Sequence, residues 1–153
     1  MILELLALEV NIKISNNIIS LLREHAEEHP HRMALKWGFD QAITYKDFAD
    51  KISFLASGLK ALGIEKGDRV LIFAPLSIEL YWSMFAVQQL GAIAVFLDSW
   101  ARAHQLGLCC DIAQPKAMIS TEKAFQIPEL NRDFIRILVS SLEGLAAKKT
   151  NVQ

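Results

Sequence analysis

The segment His25-Ala26-Glu27-Glu28-His29 contains the residues best suited to metal chemistry. It fits the pattern H-x-x-E-H, in which two histidines on one helix bind zinc. Such a site needs a third protein ligand and a helix that continues past the second histidine. Pro30 predicts instead that the helix ends there, and histidines near a helix C-terminus also complement its dipole. We therefore expect no metal site.

Phosphate binding is the second chemistry that the residue spacing suggests. Gly58 and Gly63 have the spacing of two P-loop glycines, but Ile64 and Glu65 follow where Lys and Ser/Thr belong. The segment is also predicted to lie inside a helix. The sequence contains no G-x-G-x-x-G either, so no dinucleotide fingerprint is present. We expect no phosphate-binding loop.

The two cysteines, Cys109 and Cys110, are adjacent in a predicted helix. Neighbouring residues are poor disulfide partners. We favour two small core or boundary residues over a vicinal redox pair. This cysteine usage is typical of a reducing cytoplasm.

One acidic position deserves a functional hypothesis. An apolar run, Ile93 to Leu97, leads directly to Asp98-Ser99-Trp100. Ligands of parallel α/β sheets usually bind at the carboxyl ends of strands, which makes Asp98 and its neighbours the place to expect one. The favoured alternative is that Asp98 or Ser99 caps the next helix.

The elements that would position these residues follow an alternating pattern. Apolar runs at Val70–Phe73, Ile93–Leu97 and Ala117–Ile119 are separated by segments with helical periodicity. Such alternation predicts β-α-β-α-β with a parallel sheet, whose strands are buried on both faces. The predicted fold class is α/β, a doubly-wound-like parallel βαβαβ core with an N-terminal helix and a short hairpin.

Capping residues predict where most helices begin. Asn16 or Asn17 can cap a first helix, and Ser77 a helix from Ile78 to about Leu90. Thr44, with Asp47 as its acidic N3 partner, predicts the start of a long helix. Gly63 supplies its stop, and a further helix is expected over Ala101–Ala113.

The predicted strands outside the core are short. Met33–Trp37 and Gln41–Thr44 indicate a hairpin around Gly38-Phe39-Asp40. Val10–Ile14 alternates weakly between apolar and polar residues. After Thr121 two interpretations stay open, because Pro128 could open a helix through Leu145 while Phe134 to Val139 could form a strand.

Composition limits the class of protein. The chain has 153 residues, enough for one domain with a buried core. Hydrophobic residues make up 52% and the mean hydropathy is +0.26, so either the sheet is deeply sandwiched or some apolar surface faces a partner. The net charge of −1 gives no indication of a nucleic-acid surface.

Targeting signals are not apparent, and the domain division is simple. Glu4 and Glu9 interrupt the apolar N-terminus and no basic region precedes it, so we expect no signal peptide. No apolar run approaches the roughly 18 residues of a membrane span. We expect an extension at 1–15, one α/β domain at 16–147, a disordered tail at 148–153, and a cytoplasmic protein.

Five segments, in order and spacing over residues 17 to 120, carry a family resemblance. They resemble the N-terminal part of the AMP-forming adenylating enzymes, which include acyl-CoA synthetases, luciferases and nonribosomal-peptide adenylation domains. Leu76, Phe96 and Ser99 depart from the family pattern, which often has asparagine at the first position and proline at the other two. The segments are Leu21–Pro30, Ile43–Phe48, Gly63–Val70, Pro75–Glu79 and Leu90–Val95.

The resemblance implies a function, but no site in this chain. Family members use ATP to convert a carboxylate into an acyl-adenylate and pyrophosphate, then pass the acyl group to a thiol, commonly that of coenzyme A. The resemblance is closest to fatty-acyl and related carboxylate ligases. The phosphate loop, adenine segment, ribose-binding Asp and C-terminal lysine of the family have no counterpart here. No catalytic, cofactor-binding or metal residue is therefore carried over. ATP, Mg and CoA are expected for the complete enzyme, with none binding tightly to this chain.

Three hypotheses follow. The favoured one is the N-terminal subdomain of an acyl-CoA-synthetase-like ligase, inactive alone, whose partner is the remainder of the ligase. The second is a stand-alone, non-catalytic interaction module that self-associates or docks a partner. The third is an unrelated nucleotide-binding α/β domain, against which the missing glycine-rich loop argues.

Overall fold

The computed structural model describes residues 17–98 and 100–141. The described chain forms a four-stranded sheet, a two-stranded hairpin and four α-helices, with two 3₁₀ turns before the last strand. In chain order the elements are α1 (Ile18–Glu28), β1 (Met33–Trp37), β2 (Gln41–Thr44), α2 (Tyr45–Ala61), β3 (Arg69–Phe73), α3 (Ile78–Gln89), β4 (Ile93–Phe96), α4 (Ala103–Ala113), β5 (Ala117–Ser120), the 3₁₀ turns Ala124–Gln126 and Pro128–Leu130, and β6 (Ile135–Leu138).

The larger sheet confirms the predicted doubly wound α/β class. Its strand order is β4-β3-β5-β6 and every neighbouring pair is parallel. The chain steps from β3 to β4 through α3, then back across β3 to β5 through α4. Right-handed crossovers in opposite directions place their helices on opposite faces. Accordingly, α3 and α4 contribute to separate hydrophobic clusters.

The first face of the sheet carries the larger cluster. Alternate residues Val70 and Ile72 of β3 point to this face, where α2 and α3 pack. Helix α2 supplies the predicted apolar stripe. Its buried residues are Phe48, Ile52, Leu55, Ala56 and Leu59.

The second face is covered by α4 and the 3₁₀ turns. Leu71 and Met118 reach it from the sheet and contact a cluster completed by Leu106, Cys110 and Leu130. The outer side of α4 carries two exposed apolar side chains, since Leu108 and Ile112 are 57% and 76% exposed, beside polar residues such as Asp111. Exposed apolar side chains on a surface helix are suited to contact a further layer.

The capping predictions were right for three helices. Asn17 Oδ1 accepts from the Ile19 N–H at 2.9 Å, and Ser77 Oγ accepts from the Leu80 N–H at 3.3 Å. Thr44 Oγ1 accepts from the Asp47 N–H at 3.1 Å and donates to Asp47 Oδ2 at 2.7 Å. Gly63, with φ of +87°, ends α2 in the conformation that glycine favours.

Two expectations need correction. Strand β4 is not buried on both faces: it is the edge of the sheet, and Ile93 and Phe96 are 50% and 47% exposed. After Thr121 the strand interpretation is correct, because Ile135–Leu138 pairs with β5. The alternative helix from Pro128 is wrong, since only a single 3₁₀ turn forms there.

Some expectations lie outside the described residues. These are the weak strand at Val10–Ile14, the extension at 1–15, the tail at 148–153 and the properties of Ser99. Within the described part of the chain, no helix combines the length and the apolar character needed to cross a membrane.

Candidate functional site

The carboxyl edge of the sheet holds Asp98, as the sequence predicted, but Asp98 does not cap the next helix. Its Oδ1 accepts from the Trp100 N–H at 3.1 Å, and its carbonyl accepts from the Ala101 N–H at 3.0 Å, which forms a tight turn. Helix α4 begins after Arg102, whose N–H donates to Gln105 Oε1 at 2.8 Å. The competing local turn therefore displaced the predicted cap by several residues.

Other polar side chains at this edge also bind backbone. Ser120 is fully buried and its hydroxyl donates to the Phe73 carbonyl, which joins the ends of β5 and β3. Thr121 Oγ1 accepts from the Ala124 N–H at 3.3 Å. Together with the Ser77 cap, these contacts stabilise loops at the point where the strand order reverses. In this structure these polar side chains therefore have a structural role.

The motif residues Asp68 and Arg69 lie at the opposite, amino end of the sheet. Asp68 Oδ2 accepts from Lys116 Nζ at 2.7 Å and from the Glu65 N–H at 2.7 Å. The hydrogen bond from Lys116 is the main cause that holds the pKa of Asp68 below its usual value, and the Glu65 N–H adds to it. The Arg69 guanidinium donates to the carbonyls of Ala113 and Gln114 at the end of α4. These motif residues therefore fasten β3 to β5 and α4.

The remaining chemical candidates are separated from one another. The rings of His25 and His29 lie 6.2 Å apart, and His25 also contacts the Tyr45 ring at 5.4 Å. Among the described residues, no group of three or more His, Cys, Asp or Glu could hold a metal ion. Cys110 is buried, and this desolvation raises the pKa of its thiol, as expected for a core residue.

A groove that sequence reasoning missed lies between β2, α2 and the start of α3. One wall is the segment Asp40–Ile43, the other is α2, and α3 contributes the indole of Trp82. Trp82 is only 4% exposed, and Lys51 Nζ lies 4.2 Å from its ring centroid. The polar residues of α2 that line the groove recur at helical spacing, and this second stripe was the available signal. They are Asp47, Asp50, Lys51, Ser53 and Ser57.

The fold indicates a broad class of α/β domains but no single family. A doubly wound parallel sheet with a helical layer on each face is the scaffold of nucleotide- and ligand-binding α/β domains. The described residues contain neither a glycine-rich phosphate loop nor a group of three or more His, Cys, Asp or Glu that could hold a metal ion. The described structure is therefore that of a scaffold, and similarity to known proteins must identify it.

That similarity is specific. The family model described as AMP-binding enzyme matches residues 22–151. The chain belongs to this family of AMP-forming ligases, and the resemblance seen in the sequence is confirmed.

Two curated relatives illustrate the range. The chain is 34% identical over 107 residues to pyochelin synthase PchD of Pseudomonas aeruginosa strain UCBPP-PA14, covering 70% of this chain and 19% of that protein. It is 37% identical over 84 residues to an acetyl-coenzyme A synthetase of Gamma-proteobacterium EBAC31A08, covering 52% of this chain and 13% of that protein. The chain thus spans a fifth or less of these relatives.

A similar solved structure indicates which part of an enzyme this chain resembles. The N-terminal subdomain of Klebsiella oxytoca NpsA, in complex with 3-hydroxybenzoyl-AMSN, superposes with a TM-score of 0.71 at 28% identity. The match covers 82% of this chain and 31% of that one. The described fold therefore corresponds to a portion of an adenylating-enzyme N-terminal subdomain.

Proposed function

We propose that this chain is the N-terminal part of an ATP-dependent, AMP-forming ligase that joins a carboxylic acid, of the fatty-acid class, to coenzyme A. The complete enzyme would form an acyl-adenylate and release pyrophosphate. The coenzyme A thiol would then displace AMP to give the thioester. The observation that carries this proposal is the family match over residues 22–151, on a sheet with the strand order of a doubly wound domain.

We further propose that the chain is inactive alone and works with the remainder of a ligase in the cytoplasm. Three observations support this. The sequence lacks a Ser/Thr/Gly-rich phosphate loop, the polar side chains at the carboxyl edge bind backbone groups of the chain itself, and Cys109 and Cys110 are free thiols. The expected limits of the folded unit are 16–147, with ATP, Mg and CoA bound elsewhere in the enzyme.

ATP–pyrophosphate exchange tests the inactivity. The purified 153-residue chain, given fatty acids, acetate and aryl acids in turn, should give no exchange above buffer, while an acetyl-coenzyme A synthetase run in parallel should. Exchange by the chain alone would overturn the claim that it lacks the chemistry.

The coding sequence that follows the codon for Gln153 tests the rest. A downstream Ser/Thr/Gly-rich loop ending in Pro-Lys-Gly, in any frame, would support a ligase. The joined protein should then exchange most rapidly with fatty acids. Faster exchange with acetate or with an aryl acid would reject the fatty-acid class while leaving the ligase intact.

A second candidate is a stand-alone interaction module that retains the scaffold without the chemistry. The exposed apolar residues Leu108 and Ile112 of α4, and Ile93 and Phe96 of edge strand β4, favour it. A module of this kind should self-associate in light scattering, and the double substitution Leu108→Glu/Ile112→Glu should restore a monomer. A wild-type monomer at high concentration would argue against self-association.

A further inference from the structure

The groove beside β2 has an unpaired strand edge as one wall. Among the described residues, strand β2 pairs with β1 alone, in a two-stranded sheet. Asp40 of the hairpin turn and residues 41–43 of β2 line the groove. An open edge presents backbone N–H and C=O groups to any extended chain that lies beside it. Adding a strand to such an edge is a common mode of peptide recognition.

A buried donor on the groove floor lacks an acceptor. The indole Nε1 of Trp82 has no hydrogen-bond partner among the described residues, although Trp82 is 96% removed from solvent. A buried unpaired N–H costs about 1–3 kcal/mol. A carbonyl oxygen from an occupant of the groove would remove this cost. The donor is independent of the strand edge, and an occupant that carries acceptors could satisfy it.

The charged side chains that line the groove indicate what kind of chain would bind there. Four carboxylates line it, those of Asp40, Asp47, Asp50 and Glu79, against the single ammonium of Lys51. Asp47 is engaged with Thr44, and Asp50 lies 3.7 Å from Lys46. Within the described part of the chain, neither Asp40 nor Glu79 forms an ion pair. The rim is therefore complementary to a basic chain.

We propose that this groove is a docking site for an extended, basic segment of a partner protein, which adds as a third strand beside β2. Its backbone pairs with the edge at 40–43, a carbonyl accepts from Trp82 Nε1, and its Lys or Arg side chains meet Asp40 and Glu79. Alternate side chains of an added strand point to opposite faces, so the basic residues should alternate with apolar ones.

Fluorescence anisotropy with defined peptides tests the proposal. The probe is a fluorescein-labelled peptide of alternating lysine and valine, titrated with the full chain. One control peptide has glutamate in place of lysine. The other has proline in place of every second valine, which retains the charge but removes strand hydrogen bonds. Only the first peptide should bind.

Protein variants locate the binding. Asp40→Asn/Glu79→Gln should weaken binding about fivefold, since each exposed ion pair contributes less than about 1 kcal/mol. The control Glu122→Gln/Asp133→Asn makes the same charge change at exposed positions that do not line the groove and should bind like the wild type. Trp82→Phe keeps a ring but removes the donor, and it should weaken binding about threefold. Circular dichroism checks that each variant folds.

Several results would overturn the proposal. Equal binding of the proline peptide would mean that attraction is electrostatic alone. An unchanged dissociation constant for Asp40→Asn/Glu79→Gln would place the peptide elsewhere, and this variant decides the matter if Trp82→Phe does not fold. A dimer of the free chain that is weakened by the same rim substitutions would make a second copy the occupant. Absence of binding would also reject it.

Discussion

On one face of the parallel sheet, α2, α3 and the hairpin contribute to a cluster of 17 buried residues, and α1 packs against α2. The cluster on the opposite face has five buried residues, again counting only the described part of the chain. Both faces use the same strands, and neighbouring residues of β3 point to opposite sides. The difference therefore comes from the covering layer. The first face is covered by α2, α3, the hairpin and α1, and the second by α4 and the two 3₁₀ turns.

The exposed residues agree with this asymmetry. Leu108 and Ile112 form a stripe on the outer side of α4, and Ile93 is half exposed at the edge. The two relatives described above are at least five times longer than the part they share with this chain. Additional layers of a complete ligase would be the natural cover for such a surface. The first face also exposes apolar side chains, but they lie on its outermost elements, where Ile18 of α1 and Met33 and Trp37 of the hairpin are 39% to 53% exposed.

The largest expected effect comes from a matched pair on β3. Leu71 and Ile72 are adjacent and at most 1% exposed, but they belong to the second and first cluster respectively. We expect Ile72→Ala to lower the free energy of unfolding by about 4 kcal/mol and Leu71→Ala by about 2.5 kcal/mol. The thinner layer can relax around its cavity. Urea denaturation monitored by circular dichroism measures both, and equal losses would show that the two faces are packed equally well.

A smaller effect is expected at the helix cap of the first face. Thr44→Ala removes the hydroxyl that exchanges hydrogen bonds with Asp47 at the start of α2. The expected loss is about 1 kcal/mol in the same urea assay. Thr44→Ser keeps the hydroxyl and should retain most of the stability. Identical losses for the two substitutions would assign the effect to the methyl group instead.

The last prediction concerns pH at the link between β3 and β5. The pKa of Asp68 lies below its usual value because Lys116 and the Glu65 N–H stabilise the carboxylate. A depressed folded-state pKa contributes stability above the unfolded-state value, and that contribution disappears as pH falls through the folded-state pKa. The stability difference between wild type and Asp68→Asn should therefore be largest at neutral pH and shrink below about pH 4.

Lys116→Gln provides the matched test of that cause. It should reproduce much of the Asp68→Asn loss at neutral pH, and the double variant should lose less than the sum of the two. A pH-independent difference between wild type and Asp68→Asn would mean that the ion pair stabilises nothing. Added salt should weaken the effect, since both side chains are partly exposed.

Local signals explain what could be predicted. The hairpin bounds at Met33–Trp37 and Gln41–Thr44 and the helix from Thr44 to Gly63 were each encoded within one short segment. Strand β5 and helix α3, which follows Ser77, were likewise predicted from signals within one short segment. The predicted cap at Asp98 was wrong because the same side chain can either cap a helix or close a turn with the Trp100 N–H. Only the surrounding backbone decided between the two.

The groove and the roles of the motif residues could not be predicted in this way. Lys116 and Asp68 are 48 residues apart in the chain, and the Arg69 contact to α4 spans 44. Trp82 reads as one more apolar residue of α3 until β2 and α2 enclose it. Such juxtapositions depend on how elements pack, which no single segment contains.

By itself, then, the sequence determined the α/β class, most element boundaries and the family, because periodicity, caps and ordered motifs are properties of neighbouring residues. Tertiary structure alone decided that β4 is an exposed edge, that residues 135–138 form a strand, and that the two faces are unequally covered. Strand order and layer thickness arise from contacts between distant segments. Their free energies depend on the whole fold rather than on local propensity.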